Sequence, residues 1–136
     1  MDVRDIIKIA IDIGGVISKY PRLFKELIEI CRGKIEVFII SDMHPVDKIH
    51  SMFLLNGITD VSGVYSADYS KYGENCKKIL CEQLGIDILI DDFIGYVAEG
   101  NFIRLLVMPN PTLPYYADEW KTDGSEGEFG RRVASK

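Results

Sequence analysis

The sequence predicts an α/β domain in which helices cover both faces of a five-stranded, mainly parallel sheet. Five short apolar runs have the character of buried strands, and they alternate with segments whose apolar residues recur at helical spacing. The repeated order of strand, helix and strand favours parallel pairing with right-handed crossovers. We therefore predict a single three-layer αβα domain of the Rossmann-like kind over residues 1–108.

Each predicted strand and helix has its own sequence pattern. The first run, from Ile6 to Ile11, is almost uninterrupted, as expected for a strand buried on both faces. The other predicted strands cover residues 35–40, 63–65, 86–90 and 102–107. Three helices are predicted between the first four strands, and glycines mark their C-terminal ends, at Gly33, Gly57 and Gly85.

The third predicted helix has an apolar stripe that leaves out its two lysines. The stripe consists of Cys76, Ile79, Leu80 and Leu84. Lys77 and Lys78 lie off the stripe, so we expect both side chains to be solvated.

The sequence changes character at Pro109, and residues 109–136 form a separate C-terminal segment. Three aromatic residues cluster in it, at Tyr115, Tyr116 and Trp120. A stretch rich in glycine and glutamate follows at 123–130, so we expect the aromatics to pack on the domain and the rest to be mobile. The alternative is that the aromatics form a surface for a partner or substrate.

Composition excludes several classes of protein. Hydrophobic residues make up 47% of the 136 residues and charged residues 27%, which is ordinary for a globular domain. The net charge of -5 argues against a nucleic-acid patch or an anionic-membrane binder. No apolar run approaches the ~20 residues of a transmembrane helix, and residues 1–5 are too charged for a secretory signal. We expect no association with nucleic acid or membrane.

The three cysteines, Cys31, Cys76 and Cys81, contain no Cys-x-x-Cys pair. Two of them fall on apolar helical faces, so they are typical of small core residues in a reducing compartment. This pattern predicts a cytoplasmic protein.

Polar side chains follow four of the predicted strands. Asp12 follows the first strand, Ser41 ends the second, and Lys71 stands in the polar loop after the third. Asp91 and Asp92 follow the fourth. Because ligands bind at the carboxyl edge of open α/β sheets, we expect these groups to converge there. Carboxylates bind Mg²⁺, and hydroxyl, lysine and backbone N–H groups bind phosphate, so the set predicts a site for both ions.

With these groups in this order, the sequence from about residue 6 to residue 107 resembles the haloacid dehalogenase superfamily. Members of that superfamily are mostly Mg²⁺-dependent phosphatases. Asp12 matches the family's nucleophilic aspartate, and Ser41 matches the hydroxyl that contacts the phosphoryl group. Lys71 matches the charge-neutralising lysine, and Asp92, with its acidic neighbour, matches the metal-binding motif.

The resemblance implies hydrolysis of a phosphate monoester through an aspartyl-phosphate on Asp12. It also implies a Mg²⁺ ion held by the Asp12 carboxylate, the Gly14 backbone C=O and Asp92, with Asp91 beside them. A second set of residues would bind the phosphoryl group, namely Gly15, Ser41 and Lys71.

The sequence departs from the family pattern at Gly14, where the family usually has a second aspartate that acts as general acid and base. Such help is typically worth ~10²–10⁴-fold, so an alkyl phosphate would suffer more than an activated one. His44 could replace the missing acid, but a surface histidine is the favoured interpretation. Asp42 would oppose a phosphate if it faced the site, so we expect it to cap the helix that begins near Pro45.

Ordinary structural explanations exist for each predicted site residue. Asp12 with its glycines is also typical of a turn, and Ser41 of a strand-end hydroxyl that bonds to the backbone. The acidic pair could cap the segment that follows it. Lys71 could be a solvated loop residue, in which case Lys77 or Lys78 would take its predicted role.

The spacing of the motifs leaves no room for the cap domain that the family often inserts. An uncovered site favours a large phosphorylated substrate that brings its own cover, or a homo-oligomer in which a neighbour supplies it. The only local candidate for a lid is the segment from Tyr115 to Trp120.

The predicted function is a Mg²⁺-dependent phosphohydrolase. One alternative is a catalytically weak or silent binding or regulatory protein of the same family, which Gly14 and the acidic, aromatic C-terminal segment favour. Another is a receiver-like acceptor that forms a long-lived acyl-phosphate on Asp12.

Overall fold

Five parallel strands form the central sheet of the computed structural model, which describes residues 6–122. The strands are β1 (Ile7–Ile11), β2 (Ile35–Ser41), β3 (Gly63–Ser66), β4 (Ile88–Asp91) and β5 (Ile103–Leu106). Every neighbouring pair in the sheet is parallel. The predicted five-stranded sheet is confirmed.

The helices lie where apolar periodicity predicted them, with one addition. They are α1 (Pro21–Cys31), α2 (Val46–Leu55), α3 (Tyr69–Tyr72) and α4 (Cys76–Leu84). The short α3 lies in the predicted polar loop, where Asp68 caps it by accepting a hydrogen bond of 3.1 Å from the Lys71 backbone N–H. Within residues 6–122, no helix is both long enough and apolar enough to cross a membrane.

Side-chain alternation along the strands divides the core into two layers. Ile11 and Ile39 face the layer that α1 and α2 complete, with Phe24 and Met52 among its buried residues. The opposite face of the sheet carries Ala10, Phe38 and Leu89, which pack with Cys76 and Cys81 of α4. Helices therefore cover both faces, as predicted for a three-layer Rossmann-like domain.

The strand order is β3-β2-β1-β4-β5, which has a switch point beside β1. β2 lies on one side of β1 and β4 on the other, because the chain runs outward from β1 through β2 to β3 and then crosses back to the far side of β1 at β4. Doubly wound sheets bind ligands in the crevice at the carboxyl ends of strands at such a point. Asp12 directly follows β1 and Asp91 ends β4, so both residues lie there.

The cysteines are buried core residues, as predicted from their positions. Cys31, Cys76 and Cys81 are all free thiols. Burial raises the pKa of the Cys76 thiol, and it raises the pKa of Cys81 to about 12. Both thiols are protonated at neutral pH and are poor nucleophiles.

The last part of the described chain folds back over the domain as a strap, defined here as residues 109–122. Trp120 is only 5% exposed and meets the Phe53 ring edge-on, with ring centroids 6.2 Å apart. The Lys121 backbone N–H donates a hydrogen bond of 2.7 Å to Asn56 Oδ1. The strap is therefore anchored to the layer that contains α2. The stretch at 123–130 that was expected to be mobile lies outside the described residues.

Candidate active site

A buried lysine joins two of the predicted carboxylates. Lys77 Nζ lies 2.7 Å from Asp12 Oδ1 and 2.6 Å from Asp91 Oδ2. The Lys77 side chain is 0% exposed, so the prediction that it would be solvated is wrong. It lies in the first turn of α4, on the side that faces the sheet, and two carboxylates compensate the buried ammonium.

A third carboxylate completes a cluster at the switch point. Asp12, Asp91 and Asp92 each offer an oxygen, and these oxygens lie within 4.8 Å of one another. Asp91 uses both of its oxygens within the protein, because Oδ2 accepts from Lys77 and Oδ1 accepts from the Phe93 backbone N–H at 3.0 Å. Asp12 and Asp92 are therefore better placed than Asp91 to offer oxygens to a metal ion.

The cluster carries more negative charge than Lys77 can balance. Burial and the neighbouring Asp91 raise the pKa of Asp12 well above its ordinary value. Burial and Asp91 also raise the pKa of Asp92, to about 6. Although burial opposes the charged form of Lys77, Asp12 and Asp91 raise its pKa, so the ammonium keeps its proton. One ammonium among three carboxylates leaves a surplus of negative charge that would attract a cation.

A single π-turn after β1 shapes the backbone at the cluster. It spans Ile13–Ile17 and is closed by a hydrogen bond of 2.9 Å from the Ser18 N–H to the Ile13 C=O. Gly15 has a φ of 74°, a conformation that favours glycine. A side chain at Gly15 would also collide with the Asp92 carboxylate. Glycine at this position thus allows Asp92 to approach the turn.

Tyr96 lies against the Lys77 ammonium and links it to a further carboxylate, Asp42. The ammonium lies 4.7 Å from the centre of the Tyr96 ring, and the Tyr96 hydroxyl donates a hydrogen bond of 2.7 Å to Asp42 Oδ2. Contrary to expectation, Asp42 is not the N-cap residue of α2, because that residue is Pro45, which makes no side-chain cap hydrogen bond. Asp42 is buried with Tyr96 instead, where the phenol hydroxyl satisfies its carboxylate.

Lys71, the predicted charge-neutralising residue, does not lie with the carboxylates. It is exposed, and its ammonium lies 5.1 Å from the centre of the Tyr72 ring. The helical path breaks after α3, and a 3₁₀ turn at Gly73–Asn75 leads into α4. Lys77 on α4 therefore takes the position that the sequence assigned to Lys71. The sequence signal for Lys77 was its place beside Cys76 and four residues before Cys81, both of which are buried.

Ser41 and His44 make local contacts. The Ser41 hydroxyl is buried and accepts a hydrogen bond of 3.1 Å from the Met43 backbone N–H. The exposed His44 ring lies 2.6 Å from the Ser66 hydroxyl through its Nδ1. Both contacts match the structural explanations of these residues, and the contact of Ser41 with a phosphoryl group stays a prediction.

Tyr115 of the strap covers the cluster. Burial and the charges of Asp12 and Asp92 raise the pKa of the Tyr115 hydroxyl, so it stays protonated. Its ring also lies where a side chain on Gly15 would project. The aromatic cluster in the sequence indicated a lid, but nothing local in the sequence indicated which aromatic residue meets the carboxylates.

Comparisons of this chain with protein-family models, with curated proteins and with solved structures found no match. The geometry and charges of the site itself therefore carry the functional assignment.

Ser18 joins the turn to the strap, and its hydroxyl should be worth a measurable part of the stability. Ser18 Oγ accepts from the Gly15 N–H at 3.0 Å and donates to the Tyr115 C=O at 3.0 Å. Ser18→Ala leaves both groups without this partner, so we expect it to lower the free energy of unfolding by about 1–3 kcal/mol. Urea unfolding measures the loss. Ser62→Ala, at an exposed serine, should change stability little, and equal values for the two variants would contradict the prediction.

Proposed function

We propose that this protein is a Mg²⁺-dependent phosphohydrolase of the haloacid dehalogenase type, acting on a phosphate monoester through an aspartyl-phosphate on Asp12. The observation that carries the proposal is the convergence of Asp12, Asp91 and Asp92 around Lys77 at the switch point of the sheet. Three carboxylates and one buried ammonium form a charge arrangement suited to a cation and a phosphoryl group, and a stable core does not require it.

The donor set fits a hard divalent cation. Asp12 and Asp92 would hold Mg²⁺ with the Gly14 backbone C=O. Burial and the charge of Asp91 raise the pKa of both carboxylates, and a bound cation would offset this cost of keeping them ionised. The bound ion would screen the repulsion between the anionic nucleophile and the anionic substrate. Asp91 would position Lys77 instead of binding the metal ion, since its two oxygens accept hydrogen bonds from Lys77 and from the Phe93 N–H.

The chain's own residues then divide the reaction between them. An Asp12 oxygen attacks phosphorus, the ester P–O bond breaks, and the leaving oxygen departs with the bonding electron pair. Water then attacks the aspartyl-phosphate, which releases inorganic phosphate and restores the carboxylate. Lys77, already 2.7 Å from Asp12 Oδ1, orients the nucleophile and offsets charge on the transferred group. Ser41 stays a candidate for binding the phosphoryl oxygens, because its hydroxyl accepts from the Met43 N–H and still has its own proton to donate. The Gly15 N–H, which was predicted to bind them as well, donates to Ser18 Oγ instead.

The strap also limits which substrates could reach Asp12. With Tyr115 over the cluster, the Asp12 side chain is only 9% exposed, so the site is less open than the missing cap domain suggested. A phosphate monoester on a flexible or extended carrier would reach it more readily than one on a bulky, rigid surface.

Fluoroberyllate, which mimics a phosphorylated aspartate, tests the proposal together with turnover of p-nitrophenyl phosphate. We expect Mg²⁺-dependent turnover that EDTA abolishes, and Mg²⁺-dependent fluoroberyllate binding by calorimetry. The matched pair is Asp92→Asn, which should lose both responses, and Asp87→Asn, which should keep them. Asp92 directly follows β4, whereas Asp87 is exposed and directly precedes it.

Two other results would each point to a different function. Absence of both turnover and fluoroberyllate binding in the native chain would favour a silent binding or regulatory protein. A long-lived acyl-phosphate on Asp12 without release of phosphate, detected by mass spectrometry, would favour a receiver-like acceptor.

A further inference from the structure

The backbone conformation of Gly14 does not itself require a glycine. Its φ of -64° and ψ of 126° are dihedral angles that any L-residue adopts. A Cβ atom at this position would, however, run into the Tyr115 hydroxyl. Gly14 therefore leaves open a space that Tyr115 fills from the strap.

The Tyr115 hydroxyl reaches that space on a fixed support. The Tyr115 C=O accepts from Ser18 Oγ at 3.0 Å, and Ser18 lies in the turn that follows Asp12. The Ala117 N–H donates to the Ser18 C=O at 2.8 Å, so the strap is bonded to Ser18 on both sides of Tyr116. The Tyr115 ring also packs edge-on against Tyr116, with centroids 5.1 Å apart.

Position 14 has no side chain that could donate a hydrogen bond to the leaving group of the proposed reaction. In the proposed function, a side chain two residues after the nucleophile would assist the leaving group, and glycine cannot do so. A phenol hydroxyl keeps its proton at neutral pH and can donate a hydrogen bond. The Tyr115 side chain lies beside the carboxylate cluster, because a Cβ atom on Gly15 would meet both the Asp92 carboxylate and the Tyr115 ring.

We propose that Tyr115 is a catalytic residue whose hydroxyl takes the place of the side chain absent at Gly14 and donates a hydrogen bond to the leaving-group oxygen of the bound phosphate monoester. The inference rests on the proposed function. As the bond from Asp12 to phosphorus forms and the ester P–O bond breaks, the leaving oxygen takes the bonding electron pair and becomes negative. A donor aimed at that oxygen stabilises the transition state more than the ground state.

Tyr115→Phe tests this donor because it removes the hydroxyl and keeps the ring. We expect kcat for an alkyl phosphate to fall by about 10²–10³-fold, the scale for loss of one such donor. The fall for p-nitrophenyl phosphate should be about tenfold or less, because p-nitrophenolate is a stable anion and needs little help. Fluoroberyllate affinity should stay within a few fold of the native value. The control is Tyr72→Phe, at an exposed tyrosine, which should change neither rate.

A second variant pair separates the hydroxyl from the fold. Tyr115→Ala opens the space beside Gly14, and adding Gly14→Asp to it returns a proton-bearing or hydrogen-bonding side chain from the turn itself. We expect the double variant to hydrolyse the alkyl phosphate at least about tenfold faster than Tyr115→Ala alone. Gly14→Asp in the native background should be impaired, because its side chain meets Tyr115.

The possible failures can be told apart. A native chain that neither turns over substrate nor binds fluoroberyllate overturns the proposed function, and this inference with it. If the native chain is active, three results for Tyr115→Phe would overturn this inference and leave the proposed function standing. They are an unchanged rate with the alkyl phosphate, an equal loss of rate with both substrates, or a raised rate. A raised rate would mean that Tyr115 obstructs the site.

Discussion

Asp12→Asn should abolish turnover while the fold persists. In the proposed reaction, Asp12 is the covalent nucleophile. Removing such a group costs about 10⁴–10⁶-fold in kcat, because an amide cannot form the acyl-phosphate. Stability should change little, because Lys77 loses one anionic partner but keeps Asp91 at 2.6 Å, and a second effect opposes that loss. Burial and Asp91 raise the pKa of Asp12, so its ionised form opposes folding above the ordinary pKa of an aspartate, and an uncharged amide removes that cost.

Turnover and stability are measured together, so that loss of the reaction can be distinguished from loss of the fold. Turnover is the steady-state hydrolysis of p-nitrophenyl phosphate, and stability is the urea unfolding midpoint. Asp87→Asn provides the matched control, because Asp87 is exposed and lies before β4 on the opposite edge of the sheet. Turnover that survives in Asp12→Asn would contradict the assignment of Asp12 as the nucleophile.

Lys77→Met should destabilise the protein far more than the same change at the next residue. Methionine fills a similar volume but leaves Asp12 and Asp91 buried without their ammonium. Breaking a buried pair in this way costs about 3–5 kcal/mol, because an uncompensated charge remains. Lys78→Met is the control, since Lys78 pairs with a largely exposed Glu99 at 3.2 Å and should cost at most about 1 kcal/mol.

The loss in Lys77→Met should also depend on pH in a defined direction. In the native chain, burial and Asp91 raise the pKa values of Asp12 and Asp92, and Lys77 lowers them. Removing the ammonium should raise both values further, so the folded variant binds more protons than the unfolded chain does. Stability therefore rises as pH falls from about 8 towards about 5, and the deficit relative to the native chain shrinks. Urea unfolding across that range measures it. A deficit that is equal at all pH values, or equal for the two lysine variants, would contradict the role of Lys77.

The sequence predicted the fold because each strand and helix has a local pattern. Apolar runs indicated all five strands, although β4 begins at Ile88 instead of residue 86 and ends at Asp91. Such ends depend on which partner residues extend the ladder, here Ile9 for Ile88 and Leu106 for Asp91. The short helix α3 was missed because a single capped turn has no apolar periodicity.

The site was predictable only where it follows from strand topology. Parallel strands place their carboxyl ends at one edge, so Asp12, Asp91 and Asp92 could be expected to meet there, and they do. Lys71 was chosen by its distance along the chain, yet the rotation of α4 against the sheet brings Lys77 to the carboxylates. That rotation depends on how Cys76 and Cys81 pack in the core.

By itself, therefore, the sequence determined the layered sheet and the acidic residues at its edge, because strand periodicity and parallel pairing are encoded within short segments. Only the tertiary structure decided which cation balances those acids and what covers them. Lys77 is buried because two carboxylates from different strands surround it. Tyr115 reaches Gly14 through a contact with Ser18, which is 97 residues away in the chain, and no local pattern specifies a contact across that distance.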